Sequence, residues 1–290
     1  MSDTKRIGWI GAGKMGFPIS VRFKQAGHKV TALARSAEAR DKLTAAGLNS
    51  AATVAEVAHN SDIVFSSLSD DTALRSVAAE LSSTMHNGAT FIDISTVSPT
   101  VSAEIAAAFA NHHITYLRSP VSGSTAMATS GTLTAVISGP VQAYDSLAPI
   151  FAVFAKKTFH VGEAEEARAM KLVLNSMVAA TSALLSEALA FGAKGGLDIA
   201  TMLNVVNQSV VASPLIAYKT DMIVKGDYTP AATLSMLQKD VDLFLTTGTN
   251  QKLKLPLASM VHAIYQKAAH DGLGERDFFV LIQDALKHSG

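Results

Sequence analysis

A glycine-rich turn near the amino terminus restricts the fold of this 290-residue chain more than any other feature. The turn follows a short apolar strand pattern at 6–10 and precedes an amphipathic pattern at 15–26. Gly11, Gly13 and Gly16 have the G-x-G-x-x-G spacing of a dinucleotide-binding loop. There the first glycine permits a tight turn, the second lets a pyrophosphate approach the backbone, and the third allows close packing of helix on strand. The alternative is a glycine turn with only a structural role.

The turn is expected to bind phosphates through the start of the helix that follows it. Backbone N–H groups in the first turn of a helix lack partners within that helix, and the helix dipole places partial positive charge there. The residues predicted to contact a dinucleotide are the six of this turn: Gly11, Ala12, Gly13, Lys14, Met15 and Gly16.

The end of the second strand pattern, at 29–33, indicates which dinucleotide binds. NAD sites usually carry an Asp or Glu there, about 20 residues past the glycines, to bind the ribose 2′-hydroxyl. This chain has Arg35 and Ser36 instead. A guanidinium and a hydroxyl suit a 2′-phosphate, because both form hydrogen bonds with a charged acceptor. The sequence therefore predicts NADP as the cofactor, with NAD less favoured, and an exposed surface arginine is the alternative interpretation.

Strand-like and helix-like patterns alternate through the first part of the chain. Short apolar segments rich in β-branched residues predict strands, and amphipathic segments between them predict helices. The predicted strands are 6–10, 29–33, 62–68, 90–94, 114–117 and 132–137, and the predicted helices are 15–26, 37–46, 53–58, 71–81 and 101–111. This alternation is typical of an α/β Rossmann domain, a doubly wound and mostly parallel sheet, which is expected to occupy 1–162.

The pattern beyond residue 162 predicts an all-α domain over 163–290. A long Ala- and Leu-rich helical pattern comes first and ends at two glycines. The predicted helices are 163–194, 198–207, 213–224, 231–248, 256–271 and 275–287. Small residues dominate the first of these helices, which permits close packing either within a helical core or against a second subunit.

Composition excludes several classes of protein and of chemistry. Lys and Arg together number 24, as do Asp and Glu, so no net charge favours nucleic acid as a partner. Cysteine is absent, which excludes disulfides and thiolate catalysis. The nine histidines lack ligand-like spacing, so no metal site is predicted. The start of the chain has no signal-peptide pattern, and we expect no apolar run to be long enough to span a bilayer. The expectation is a cytoplasmic protein without a membrane partner.

Five motifs in order resemble those of the β-hydroxyacid dehydrogenase family, which includes 3-hydroxyisobutyrate dehydrogenases and glyoxylate/succinic semialdehyde reductases. The motifs are 11–16, 93–99, 119–124 with 131–133, 162–175, and 239–240 with 272–277. The resemblance covers essentially the whole chain. It implies an NADPH-dependent oxidoreductase of small anionic hydroxy acids, semialdehydes or keto acids, with reduction as the physiological direction and a homodimer or homotetramer as the assembly. Its active site is expected in the cleft between the domains.

The resemblance also implies roles for particular residues. Lys171 becomes the general acid and base, and Asn175, four residues later on the same predicted helix, binds substrate. The substrate loop contributes Ser122, Gly123 and Ser124, whose N–H groups and hydroxyls suit a small anion. The remaining cofactor contacts implied by the resemblance are Leu68, Ser69, Ser95, Thr96 and Lys239.

Departures from the family pattern concern mainly the substrate loop. Many members have Asp and Ala where this chain has Arg118 and Ser119, and Arg118 is expected to face solvent. Gly123-Ser124 resembles the glyoxylate/succinic semialdehyde reductase branch, and Ser69 stands where Pro is frequent. A carboxylate is the expected anion, with a sulfonate or phosphonate as alternatives. Two other functions remain open, an NADPH-dependent imine reductase, against which Lys171 argues, and a non-catalytic nucleotide-binding scaffold.

Overall fold

The computed structural model describes residues 4–288, which form two compact units divided between Lys171 and Leu172. The first unit therefore includes the first turns of the long helix. The domain boundary expected after residue 162 falls at the end of the last strand and stays a prediction.

The first unit is built on a sheet. Its strands are β1 (Arg6–Ile10), β2 (Lys29–Leu33), β3 (Asn49–Ala51), β4 (Ile63–Ser66), β5 (Thr90–Asp93), β6 (Thr115–Arg118), β7 (Val121–Ser122), β8 (Leu133–Ser138) and β9 (Ala155–Gly162). They run in the order β3-β2-β1-β4-β5-β6-β8, with β7 and β9 also paired to β8. All pairs from β3 to β6 are parallel, and β8 runs antiparallel to β6 and β7. This order confirms the predicted doubly wound, mostly parallel sheet.

Helices connect these strands, and polar side chains fix where several of them begin. The helices are α1 (Gly16–Gln25), α2 (Ala37–Ala45), α3 (Val54–His59), α4 (Asp71–Thr84), α5 (Pro99–Ala110), α6 (Thr125–Ser130), α7 (Val141–Ser146) and α8 (Ala148–Phe151). Thr53, Asp70 and Ser98 each accept a hydrogen bond from a backbone N–H three residues later, which satisfies a donor that the helix itself leaves unpaired. The five predicted helices of this region agree with α1 to α5 to within a few residues.

Apolar side chains cover both faces of the sheet, as a doubly wound fold requires. On one face, Trp9 stacks on Phe65 with ring centroids 5.1 Å apart, and Phe23 and Phe154 complete the aromatic cluster. On the other face, Phe91 packs against α5. These fully buried rings hold β1 and β4 side by side, and the glycine turn follows directly from β1.

Three strands lie outside the segments predicted from sequence. β3 has only three residues, and β7 is separated from β6 by Ser119 and Pro120. Both β6 and β7 pair with β8, so they lie end to end along the same neighbouring strand. The pairing is interrupted at Pro120 because proline has no backbone N–H to donate. β9 carries Lys156, Lys157 and other exposed side chains, which gives it little of the apolar character of a central strand.

The second unit is helical, as predicted. It contains most of α9 (Glu166–Lys194), followed by α10 (Ile199–Gln208), α11 (Pro214–Lys225), α12 (Leu234–Asn250), α13 (Pro256–Ala268) and α14 (Leu281–His288). The segment predicted as one helix at 275–287 instead holds a 3₁₀ turn (Phe278–Val280) before α14. Asp277 caps that turn and forms a buried ion pair with Lys219 at 2.5 Å.

Small residues of α9 pack within the core of the second unit. Ala179 and Ala183 are buried in its hydrophobic cluster, and the Ser182 hydroxyl lies 2.6 Å from the Tyr265 hydroxyl. The small-residue face therefore serves the helical core. Within residues 4–288, α9 is also the one helix with the length and composition to cross a membrane. This differs from the expectation that no apolar run is long enough to span a bilayer. The apolar window of α9 is 44% buried, in keeping with a core helix.

Candidate active site

The glycine turn has the shape of a phosphate cradle. Gly11 has φ +90°, and a side chain there would meet the backbone of Ser67, whose N–H bonds to the Ile10 oxygen at 2.9 Å. A side chain at Gly16 would collide with the Gly11 carbonyl and with Trp9. Both positions therefore require glycine.

The second glycine of the motif, Gly13, and the start of the helix leave room for a ligand. A Cβ at Gly13 would meet no protein atom within 4 Å, so this part of the turn is open. No side chain caps the first turn of α1, which begins at Gly16 after Met15. Phe17 N donates to the Gly13 oxygen at 3.0 Å, and no side chain occupies the rest of the helix start. These features together fit a dinucleotide pyrophosphate.

The other predicted cofactor residues of the first unit follow neighbouring parallel strands. Arg35 comes shortly after β2, Leu68 and Ser69 come after β4, and Ser95 and Thr96 come after β5. Because β2, β1, β4 and β5 are adjacent and parallel, these segments all lie at the carboxyl edge of the sheet. The chain reverses its direction of winding between β1 and β4, which is where ligands bind in open α/β sheets.

Arg35 and Ser36 differ in the hydrogen bonds that their side chains make with the rest of the protein. Ser36 caps α2 by accepting a hydrogen bond from Ala39 N at 3.1 Å. The Arg35 side chain is exposed and, across residues 4–288, makes no hydrogen bond or ion pair. The guanidinium is therefore available to a bound anion.

A buried carboxylate organises the loops after β4 and β5. Asp93 Oδ1 accepts hydrogen bonds from the hydroxyls of Ser66 and Ser95, each at 2.5 Å. Ser95 Oγ in turn accepts a hydrogen bond from Leu68 N at 2.8 Å. The two loops that carry Leu68, Ser69, Ser95 and Thr96 are thus joined through one fully buried side chain.

Lys171 lies beside the predicted substrate loop within the first unit. Its Nζ donates a hydrogen bond to the Val121 oxygen at 2.8 Å, and its side chain is half-buried. Val121 immediately precedes Ser122, so the structure brings the predicted acid and the predicted anion site together. The loop itself needs Gly123, where φ is +139° and a side chain would meet Leu133.

The expectation that Arg118 faces solvent is wrong. The residue is only 5% exposed, and its guanidinium forms an ion pair with Glu165 and lies 4.4 Å from the centre of the Tyr116 ring. Burial of the guanidinium is possible because Glu165 supplies the opposite charge. Glu165 comes 47 residues later in the chain, so local sequence gave no indication of the pair.

The second unit contains the two remaining predicted residues, Asn175 and Lys239. Asn175 donates a hydrogen bond from Nδ2 to Asp240 Oδ2 at 2.6 Å, and Lys239 Nζ lies 2.9 Å from Asp240 Oδ1. Asp240 is buried and orients the Asn175 amide so that its oxygen points away from the carboxylate. Ser124, in the first unit, caps the short helix α6.

Asp93 and Arg168 are site-associated residues that sequence reasoning did not identify. Arg168 is fully buried and donates a hydrogen bond to Asp93 Oδ2 at 2.5 Å. The only indication of Arg168 in the sequence is that a single arginine stands among small residues, one helical turn before Lys171. Within the described part of the chain, no group of three or more His, Asp or Glu side chains is arranged to hold a metal ion.

Two family models account for most of the sequence. A model described as the NAD binding domain of 6-phosphogluconate dehydrogenase matches residues 6–162. A second, described as NAD-binding of NADP-dependent 3-hydroxyisobutyrate dehydrogenase, matches residues 166–284. Glyoxylate/succinic semialdehyde reductase 1 of Arabidopsis thaliana is 30% identical over 286 residues, or 98% of this chain and 99% of that protein. The chain belongs to the β-hydroxyacid dehydrogenase family.

Two further proteins are similar to this chain, over different shares of their own length. The crystal structure of 3-hydroxyisobutyrate dehydrogenase from Salmonella typhimurium is 26% identical, covers 96% of this chain and 99% of that one, and has a TM-score of 0.88. Cytokine-like nuclear factor N-PAC of Xenopus tropicalis is 29% identical over 267 residues, which are 91% of this chain. This chain spans only half the length of N-PAC. As a family member, the protein is an NAD(P)-dependent dehydrogenase or reductase acting on CH–OH groups.

Proposed function

We propose that the protein reduces small carboxylate-bearing aldehydes or keto acids with NADPH, using Lys171 as the general acid. The observation that carries the proposal is the 2.8 Å hydrogen bond from Lys171 Nζ to the Val121 oxygen, next to Ser122. It places an ammonium group beside a loop whose N–H groups and hydroxyls suit a small anion.

Lys171 supplies the proton that reduction of a carbonyl requires. Bound NADPH provides the hydride in this chemistry. The lysine ammonium has three N–H donors, and its hydrogen bond to Val121 holds it beside the loop at Ser122, where the substrate carbonyl oxygen accepts from it in this proposal. Donation from Nζ neutralises the negative charge that develops on that oxygen. In the oxidative direction, neutral Lys171 accepts the proton of the alcohol.

The substrate carboxylate binds to the loop at Ser122, Gly123 and Ser124 in this proposal. Ser122 and Ser124 are half-buried, which leaves part of each side chain accessible. Asn175, one helical turn after Lys171 in α9, hydrogen-bonds to the substrate through an amide that Asp240 orients. A carboxylate is favoured over a sulfonate or phosphonate because it is planar and smaller than either of these tetrahedral groups.

NADP is the cofactor in this proposal because Arg35 is exposed and unpaired within residues 4–288. The 2′-phosphate of NADP gives that guanidinium a charged acceptor, whereas the 2′-hydroxyl of NAD does not. The six residues of the glycine turn bind the pyrophosphate. Leu68, Ser69, Ser95, Thr96 and Lys239 complete the proposed cofactor contacts.

A substrate panel tests the proposed reaction. NADPH oxidation is measured with glyoxylate, succinic semialdehyde and related keto acids, with uncharged aldehydes of matched length as controls. We expect kcat/KM to be at least 10-fold higher for the carboxylates, since the loss of one hydrogen-bonded anion costs about 1.5–3 kcal/mol. Faster turnover of cyclic imines would favour an imine reductase instead. Tight NADPH binding without turnover of any compound would favour a nucleotide-binding scaffold.

A homodimer or homotetramer and a cytoplasmic location belong to the same proposal. Three apolar residues spaced seven apart on α9 are exposed: Met177 at 64%, Leu184 at 70% and Phe191 at 84%. Such a stripe suits docking against a second copy of the chain. We expect sedimentation equilibrium to give two or four chain masses, and Leu184→Glu to shift the protein toward one. A wild-type protein that sediments as a single chain would contradict the proposed assembly. Cell fractionation checks the location.

A further inference from the structure

Arg168 is a buried charged residue that the proposed chemistry does not use. Its guanidinium donates four hydrogen bonds, and no part of the side chain is exposed. The acceptors are Asp93 Oδ2 at 2.5 Å, Ser95 O at 2.7 Å, the Tyr116 hydroxyl at 2.8 Å and Ser102 Oγ at 3.2 Å. Four of its five N–H groups are thus engaged.

These acceptors connect Arg168 to the loops that carry the proposed cofactor contacts Leu68, Ser69, Ser95 and Thr96. Ser95 is itself one of those contacts, and Asp93 holds the hydroxyls of Ser66 and Ser95 through its other oxygen. Ser95 Oγ continues the chain of hydrogen bonds to Leu68 N. A single guanidinium therefore reaches the ends of β4 and β5 together.

Arg168 also fixes the part of α9 that carries Lys171. It lies three residues before Lys171, so both are on nearly the same face of the first turns of α9. Glu165, just before the helix, is tied to β6 by its ion pair with Arg118. The lysine-bearing turn is held to the carboxyl edge of the sheet at two points.

The charges in this cluster are balanced. Asp93 pairs with Arg168, and Glu165 pairs with Arg118. Burial raises the pKa of the Tyr116 hydroxyl, which therefore stays neutral. Burial by itself would lower the pKa of Arg168, but Tyr116 and Asp93 keep it above its usual value. A buried ion pair is often no more stabilising than apolar side chains of similar volume. Stability alone therefore does not account for such a complete set of directional bonds.

We propose that Arg168 is a positioning residue, which sets Lys171 relative to the loops at Leu68 and Ser95. This inference rests on the proposed function, because it assigns Lys171 and these loops to one reaction. Proton donation from Lys171 needs its Nζ within hydrogen-bond reach of the substrate oxygen, so a displacement of about 1 Å is costly.

The test removes both buried charges at once, so that folding is not confounded by an unpaired Asp93. We expect Asp93→Asn/Arg168→Gln to fold, with a melting temperature near that of the wild type, and to lower kcat about 30-fold with little change in substrate KM. Arg168→Lys, which keeps the pair with Asp93, recovers part of that kcat. Arg22→Gln is the matched control, since Arg22 also donates to backbone carbonyls, those of Val153 and Thr129.

Amide hydrogen exchange of the cofactor-free protein gives a second readout that does not depend on activity. We expect the double variant to exchange faster than the wild type at 66–69 and 94–98, and the Arg22→Gln protein to match the wild type there. A double variant with kcat within twofold of the wild type would overturn the inference. If the wild type turns over no compound, the proposed function fails, and exchange alone then decides whether Arg168 orders these loops.

Discussion

Replacement of Lys171 by methionine is expected to lower kcat by roughly 10²- to 10⁴-fold, the contribution of a well-placed general acid. Methionine keeps the length and apolar stem of lysine but cannot donate the proton that the substrate oxygen needs. The NADPH dissociation constant should stay within about threefold, because no phosphate or ribose contact is assigned to Lys171. Stopped-flow reduction of the best substrate gives the rate, and fluorescence titration gives the cofactor affinity.

Two further variants show whether the loss is specific to Lys171. Lys194→Met changes an exposed lysine at the other end of the same helix and should leave kcat unchanged. Lys171→Arg keeps the positive charge, but a guanidinium with a pKa above about 12 releases its proton poorly, so it should not restore activity. Turnover by Lys171→Met at more than a tenth of the wild-type rate would exclude lysine as the acid.

Replacement of Arg35 by glutamine is expected to lower kcat/KM for NADPH about 30- to 100-fold, which corresponds to about 2–3 kcal/mol for charge-assisted bonds to the 2′-phosphate. The value for NADH should change less than about twofold, since the 2′-hydroxyl offers the guanidinium no charge. Steady-state kinetics with both cofactors measure the two effects on one protein preparation.

Arg40 provides the control for this experiment. It is an exposed arginine in α2, five residues after Arg35, and Arg40→Gln changes the local charge equally. A similar loss in both variants would indicate a general electrostatic effect. A wild-type protein that prefers NADH would contradict the assignment of NADP.

Much of the first unit was predictable because its signals are local. A strand, a glycine turn and the following helix occupy consecutive residues, so the pattern at 6–26 contains all that the motif needs. The central strands β4 and β5 are buried on both faces and read as short apolar runs. β9 was not predicted because its side chains are largely exposed, and its pairing with β8 decides its conformation.

The side-chain contacts of the site were less accessible to sequence reasoning. Arg168 bonds to Asp93, 75 residues earlier, and Arg118 pairs with Glu165. Single residues of this kind show no periodicity, and an arginine near a strand end usually faces water. The fold brings each arginine to its carboxylate, so the pairs become visible only when the strand order is known.

The position of Trp9 has a practical consequence. It is the only tryptophan in the chain, and its indole nitrogen donates a hydrogen bond to the Gly11 oxygen at 3.3 Å. The emission of tryptophan overlaps the absorption of reduced nicotinamides, so excitation of a single fluorophore at the base of the phosphate cradle reports directly on a dinucleotide there. The unmodified chain thus carries its own optical probe of occupancy, free of background from any other indole.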